Sequence, residues 1–456
     1  MMASGGDSPN LKKAKIGEEK PKRVILAYSG GLDTSCIALW LKSKGYDVIC
    51  FMADVGQIED FVAAKAKVEM LGSKLVVVDV KKEFVEEFIW PALQANGIYE
   101  DRYMNGTALA RPCIARAWIK VAKEHDAMYI SHGATGKGND QIRFELSAYA
   151  LNRNITIIAP WRDPEFYNRF KGRKDLFAYA HDNNIELPVT PKEPWSMDAN
   201  LMHISFESGI LEDPSLVPPT GIYKMTRDPE KAVDVKDEIV ISFKRGIPVK
   251  VTNNTTGKEV TETLELFGYL NELGGKHCIG RIDIVENRSI GMKSRGLYET
   301  PGFTILYHAH IDIETFTMDK ELRVLKQYLS TRFAEQVYKG FWYSPECEYT
   351  RECIDKSQKF VDGNVTLDLY KGQVLIKARE SPNSLYSEEL VSMDVQGNYN
   401  PVDANGFIRC NALRLQEYQR LREKEWITEH STGENGTIKP VKKSTALPSN
   451  GQEIAA

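Results

Sequence analysis

The chain has 456 residues, 42% hydrophobic and 27% charged, with a formal net charge of -4, the balance of a soluble globular protein of two or three domains. That charge gives no global pull toward nucleic acid or anionic membrane, no apolar run reaches the roughly 20 residues of a membrane helix, and residues 1–7 lack the apolar segment of a signal peptide. A cytosolic protein without nucleic-acid or membrane partners is expected, and seven cysteines scattered from Cys36 to Cys410 without any Cys-x-x-Cys argue against a disulfide framework or structural zinc.

Residues 1–21 mix Gly, Ser, Lys and Glu and read as a flexible tail. An apolar strand at 24–28 then stops at Ser29-Gly30-Gly31-Leu32-Asp33-Thr34-Ser35, and a helix follows through Trp40 and Leu41. The two glycines permit positive φ and close backbone approach, while Asp33, Thr34 or Ser35 can cap the helix. Unpaired N–H groups at the helix start, with the hydroxyls of Ser29, Thr34 and Ser35, form a seat for a di- or triphosphate. The loop is neither a Walker A motif nor a Gly-x-Gly-x-x-Gly fingerprint. Instead, Ser-Gly-Gly-x-Asp-Thr-Ser is similar to the pyrophosphate loop of the ATP pyrophosphatases.

Strands at 48–53, 75–80, 128–131 and 155–159 alternate with helices at 61–71, 84–93 and 115–124. This predicts an α/β domain over 22–185, a parallel doubly wound sheet with ligands at the carboxyl ends of its strands. One of those ends carries Ser131-His132-Gly133-Ala134-Thr135-Gly136-Lys137-Gly138-Asn139-Asp140-Gln141-Ile142-Arg143. Its glycines permit a second anion cradle, Asn139 or Asp140 can cap the next helix, and Arg143 lies one turn on, facing the same mouth. Thr135, Lys137, Asn139, Asp140 and Arg143 suit a small zwitterion, cations taking its carboxylate and acceptors its ammonium.

Past Pro188, Pro191 and Pro194 an α+β domain is expected over 186–406, with hairpins at 238–244/247–252 and 365–370/373–378, a helix at 261–273 and a long helical region at 303–333. His308 and His310, two apart on a helix, do not share a face and are read as packing residues rather than metal ligands. A last helix at 411–426, within a segment 407–430, carries Leu413, Leu415, Tyr418 and Leu421, and its apolar stripe fits either packing on its own domain or a subunit contact. Residues 431–456 read as a second tail.

Together with the two loops, Arg102-Tyr103, Ala110-Arg111-Pro112-Cys113, Pro194-Trp195-Ser196-Met197-Asp198, Leu201-Met202-His203-Ile204-Ser205, Ile284-Val285-Glu286-Asn287-Arg288 and the run from Gly291 to Pro301 resemble the argininosuccinate synthase family over about residues 22–426. The resemblance implies ligation of citrulline to aspartate through a citrullyl-adenylate, with release of AMP and pyrophosphate, Mg²⁺ accompanying ATP, in a homotetramer serving arginine biosynthesis. It places ATP on Ala27, Tyr28, Ser29, Gly30, Gly31, Leu32, Asp33, Thr34, Ser35 and Ala53 and on Ser131, His132, Gly133, Ala134, Thr135, Gly136, Lys137, Gly138 and Asn139. Aspartate falls to Thr135, Asn139 and Asp140, and citrulline to Tyr103, Asn139, Arg143, Ser196, Ser205, Glu286 and Tyr298. Asp33 assists the metal or the loop geometry, or only caps its helix, and no protein nucleophile is required. Ala108 stands where the family often carries Ser, so a hydroxyl contact is absent there.

Two other readings compete. An amidotransferase-like or sulfur-transferring ATP pyrophosphatase calls for a glutaminase Cys-His site or paired reactive cysteines, and position 2 is Met with no cysteine pair at motif spacing. An RNA-binding module on a nucleotide fold calls for basic and aromatic patches, which the balanced charge disfavours.

Overall fold

The computed structural model describes residues 22–183 and 195–431. Five parallel strands, β1 (Arg23–Ala27), β2 (Asp47–Asp54), β3 (Lys74–Asp79), β4 (Tyr129–His132) and β5 (Thr156–Ile158), lie in the order β3-β2-β1-β4-β5. Side chains alternate across a strand, so Val24 and Leu26 of β1 join one apolar cluster with Val48, Cys50 and Trp40, while Ile25 joins another with Ile49, Phe51 and Trp118. Helices α1 (Leu32–Ser43) and α2 (Phe61–Met70) cover the first face. The long helix α3 (Gly106–Glu124) covers the second, where the Trp118 indole N–H donates to the Ile25 carbonyl at 3.0 Å. Because β2 and β4 flank β1 and the connections leave in opposite directions, a crevice opens at the carboxyl ends of β1 and β4, where both glycine-rich loops emerge.

Two helical boundaries differ from the sequence reading. α3 starts at Gly106, not near 115, and runs through Pro112; a proline reads as a breaker, but buried Ala108, Leu109, Ala110 and Cys113 hold the helix together across it. The expected helix at 84–93 is a relay of Lys81–Phe84, a π-turn at Val85–Ile89 and Trp90–Gln94, the wider turn falling just before Pro91.

After residue 195 the chain builds two antiparallel sheets. Strands β6 (Ser196–Ala199), β7 (Ile204–Glu207), β11 (Arg281–Asn287) and β12 (Lys293–Glu299) form one in the order β11-β12-β7-β6. Strands β8 (Asp237–Lys244), β9 (Ile247–Asn253), β10 (Lys258–Val260), β13 (Gly363–Tyr370) and β14 (Gln373–Glu380) form the other, in the order β10-β9-β8-β13-β14. Both expected hairpins lie in the second sheet; the first was not foreseen. The expected helical region at 303–333 is two helices, α4 (Pro301–Thr317) and α5 (Lys320–Tyr338), because the Asp319 carboxylate accepts the N–H groups of Glu321 and Leu322 and starts a new one. His310 on α4 is buried, with ring nitrogens 2.8 Å from Asn96 Oδ1 and 2.9 Å from Gln358 Oε1, which fits the packing role read for it.

Internal contacts divide the chain into a compact unit ending at Tyr386 and a second beginning at Ser387, ahead of the boundary at 406 expected from sequence. The second unit carries a helix, Asp403–Ser431, longer than the expected 411–426, on which Phe407, Leu413, Tyr418 and Leu421 are exposed. Among the described residues no helix is long and apolar enough to cross a membrane.

Candidate active site

The first loop leaves β1 with the Tyr28 N–H on the Phe51 carbonyl (2.9 Å) and turns at Gly30, whose φ of +74° favours glycine. Gly31, not a side chain, stands at the start of α1, which correct the capping expected of Asp33, Thr34 or Ser35. The hydroxyls have other partners: Thr34 Oγ1 accepts the Ser29 N–H at 3.3 Å, and Ser35 Oγ donates to the Gly31 carbonyl and meets Tyr28 OH, both at 2.9 Å. The turn is thereby fixed while the first N–H groups of α1 keep no side-chain cap, which suits an anion.

Above this loop lies a cavity of about 660 Å³ lined by Ala27, Tyr28, Ser29, Asp33, Thr34 and Ala53, by His132, Gly133, Ala134 and Thr135 of the second loop, and by apolar Phe51, Val55, Ile58, Ile114 and Phe144. Other residues expected at the nucleotide are not part of this lining. Leu32 is packed in the core, Ser35 and Ser131 are fully buried, and Gly30, Gly31, Gly136 and Lys137 do not line the cavity.

A second cavity of about 250 Å³ shares Gly133, Ala134, Thr135, Asp140 and Asp198 with the first, so the two adjoin. Tyr103, Gly138, Asn139, Arg143, Ser205, Glu286 and Tyr298 line it, uniting residues from the segment just before α3, the second loop, the helix α6 (Asp140–Leu151) and strands β7, β11 and β12. Register explains the convergence: Tyr298 of β12 lies opposite both Ser205 and Ile282, and Glu286 follows Ile282 by four on the same face of β11. Ser196 is not in the lining; it is exposed at the start of β6, opposite Glu207. Asn139 stands at the start of α6 without capping it, because its amide donates to Tyr338 OH (2.9 Å) and accepts the Ser289 N–H (3.0 Å). Ala108 is fully buried beside Thr107, which lines the smaller cavity.

Several lining residues had no role assigned from sequence: Thr107, Arg111, Asp198, Glu207 and Arg288. Arg111 Nη2 bridges Asp140 Oδ2 (2.7 Å) and Asp198 Oδ2 (2.6 Å), and Arg143 Nη1 reaches Asp140 Oδ1 (3.2 Å). Thr107 Oγ1 donates to Asp198 Oδ2 (3.2 Å), and Arg288 pairs with Glu207 (2.6 Å). A signal for two of them was present, since Arg111 follows Thr107 by four on one helix face and Glu207 follows Ser205 by two on one strand face.

Charge separates the acidic groups into two kinds. Burial pushes the Asp140 carboxyl up, but the Arg111 and Arg143 guanidinium groups outweigh it and bring it down to about 2, so it is ionised at neutral pH. Burial raises Glu207 and Glu286 above the usual carboxylate range, and Glu286 receives the Tyr298 hydroxyl at 3.1 Å.

Beneath the site, His203 is fully buried, its Nε2 2.8 Å from Thr107 Oγ1; since that hydroxyl donates to Asp198, the imidazole donates to it. Burial, then Arg111 and Arg143, depress its pKa from 6.5 to about 3. Between those values the unfolded state holds the extra proton, so this contribution makes folding stability fall as pH drops below 6.5. Asp140, depressed from 3.8 to about 2, acts only at lower pH. The midpoint of urea unfolding is accordingly expected to be lower at pH 5 than at pH 7, with a smaller difference in His203→Asn; equal midpoints in the parent chain would contradict this assignment.

Gly340, just past α5, has φ of +88°, and a Cβ there would lie 2.8 Å from the Arg143 Cα. Gly340→Ala is expected to cost about 1–3 kcal/mol and to displace Arg143 from the smaller cavity. Thermal unfolding checks the first part and the KM for the substrate bound at Arg143 the second.

A family model described as the arginosuccinate synthase N-terminal HUP domain matches residues 23–186, and one described as the arginosuccinate synthase C-terminal domain matches residues 195–418. The chain is 63% identical to the argininosuccinate synthase of Danio rerio over 400 residues, 88% of this chain and 97% of that protein. It is likewise 63% identical over 402 residues to those of Rattus norvegicus and Homo sapiens, covering 88% of this chain and 98% of each.

Proposed function

The chain belongs to the argininosuccinate synthase family, ligases that join citrulline to aspartate with ATP, and from that premise we propose how its two adjoining cavities divide the work. The observation that carries the division is their shared wall of Gly133, Ala134, Thr135, Asp140 and Asp198: a nucleotide in the larger cavity meets an amino acid in the smaller one there. ATP takes the larger cavity, its phosphates on the uncapped start of α1 and its base among Phe51, Val55, Ile58 and Phe144. Citrulline takes Tyr103, Arg143, Ser205, Glu286 and Tyr298, and aspartate takes Thr135, Asn139 and Asp140.

A ureido oxygen is a weak nucleophile and a poor leaving group. Its attack on the α-phosphorus expels pyrophosphate into the first loop and turns the oxygen into part of a good leaving group, AMP. The aspartate amine then attacks the activated carbon and AMP departs. The protein's contribution is positioning and charge stabilisation. Ionised Asp140 draws the aspartate ammonium to the shared wall, and Glu286, with Oε2 buried and unpartnered, is set to take the citrulline ammonium.

Mg²⁺ is ordinarily held by one or two carboxylates together with substrate phosphates. Asp33 and Glu59 both line the larger cavity beside the first loop and fit an ion arriving with ATP, where it would neutralise charge on the pyrophosphate. Among the described residues no cluster of three or more ligating side chains would hold a metal alone. A cytosolic homotetramer completes the reading, its terminal helix covering its exposed apolar residues between subunits.

The test is AMP release with ATP, citrulline and aspartate, each omitted in turn. Sustained release is expected only with all three; sustained release without citrulline would overturn the reading.

A further inference from the structure

His132 ends β4 and is 2% exposed. Its Nδ1 lies 3.2 Å from the Ala134 backbone nitrogen and its Nε2 lies 2.9 Å from Glu145 Oε1. A backbone N–H can only donate, so Nδ1 carries the lone pair and Nε2 carries the proton that goes to the carboxylate. Glu145, on α6, is held in turn: Arg162 Nη2 is 2.6 Å and 2.7 Å from its two oxygens. Burial raises the Glu145 carboxyl, but His132 and Arg162 outweigh it and lower it, keeping the acceptor ionised.

The same arginine reaches the far end of the second loop. Arg162 Nη1 donates to Gln141 Oε1 (3.3 Å), whose Nε2 donates to the Gly136 carbonyl at 2.6 Å and the Gly138 carbonyl at 3.2 Å. Arg162 itself lies in the turn Pro160–Arg162 just after β5. One side chain from the turn after the neighbouring strand therefore reaches both ends of the loop, the start through Glu145 and His132 and the end through Gln141.

We propose that Arg162, Glu145 and Gln141 form a brace that sets His132 as a positioning residue for the nucleotide, its Nδ1 shaping the turn through Gly133, Ala134 and Thr135 that walls the larger cavity. Glu145, Gln141 and Arg162 thereby gain a role, and the role of His132 shifts from contact with ATP to shaping the loop that makes it. The proposal rests on the reading that the larger cavity takes ATP.

The test separates the two ring nitrogens in the full chain. In His132→Asn the amide oxygen falls near the position of Nδ1 and can still accept the Ala134 N–H; in His132→Gln the polar group falls near Nε2 and cannot. His132→Gln is expected to raise the KM for ATP roughly tenfold more than His132→Asn, the worth of one buried hydrogen bond, with a much smaller change for citrulline. Arg162→Met, at a side chain 47% exposed and so tolerant of replacement, is expected to raise the KM for ATP several-fold. Equal effects of the two His132 variants, or an unchanged KM for ATP in Arg162→Met, would overturn the brace. A rise in KM confined to citrulline would overturn the assignment of the cavities instead.

Discussion

Arg111→Met is expected to lower kcat/KM for aspartate by about 100-fold. Arg111 is the cation between the Asp140 and Asp198 carboxylates, its side chain only 11% exposed and its Nε buried without a partner. Without it, two carboxylates confront each other across the wall shared by both cavities. Breaking a buried ion pair typically costs about 3–5 kcal/mol; Asp140 and Asp198 are about one-third exposed, so solvent screening brings the expectation to the low end. Methionine keeps an apolar stem near the Phe144 ring, over which the guanidinium lies at 5.4 Å, so the loss reads charge rather than packing. Steady-state kinetics check this, and a fall under about threefold would mean that Arg111 only props the carboxylates.

Asp140→Asn is expected to raise the KM for aspartate by roughly 10- to 100-fold, the about 1.5–3 kcal/mol of a charge-assisted contact, while the KM for ATP changes far less. The asymmetry matters more than the size. Asp140 also neutralises Arg111 and Arg143, so if its role were mainly structural all three substrates would lose apparent affinity together. Because the two residues touch, Arg111→Met combined with Asp140→Asn should cost less than the sum of the single changes.

Legibility in the sequence followed how locally the chemistry is encoded. The first loop could be read because strand, glycine turn, hydroxyls and helix start lie within a dozen consecutive residues, and the parallel sheet because strands buried on both faces are continuous apolar runs. The hydrogen-bond partners of Thr34 and Ser35 could not, since the same hydroxyls can bond forward to the helix or back to the loop, and only the folded turn chooses. The four-stranded sheet escaped for another reason. β11 alternates with charged residues and buries only Ile284 and Glu286, and β6 buries none of its four, so neither presents the apolar face that marks a strand. Asp198 acquires its role only when Arg111, 87 residues earlier, arrives beside it.

In the proposed mechanism citrulline is activated on the nucleotide before the amine attacks, in two cavities that share one wall. Citrulline carrying ¹⁸O in its ureido group tests it most directly, with mass spectrometry of the products after one turnover. Activation by adenylation makes that oxygen the bridge to phosphorus, so it should leave on AMP. Unlabelled AMP, with argininosuccinate formed normally, would contradict the account.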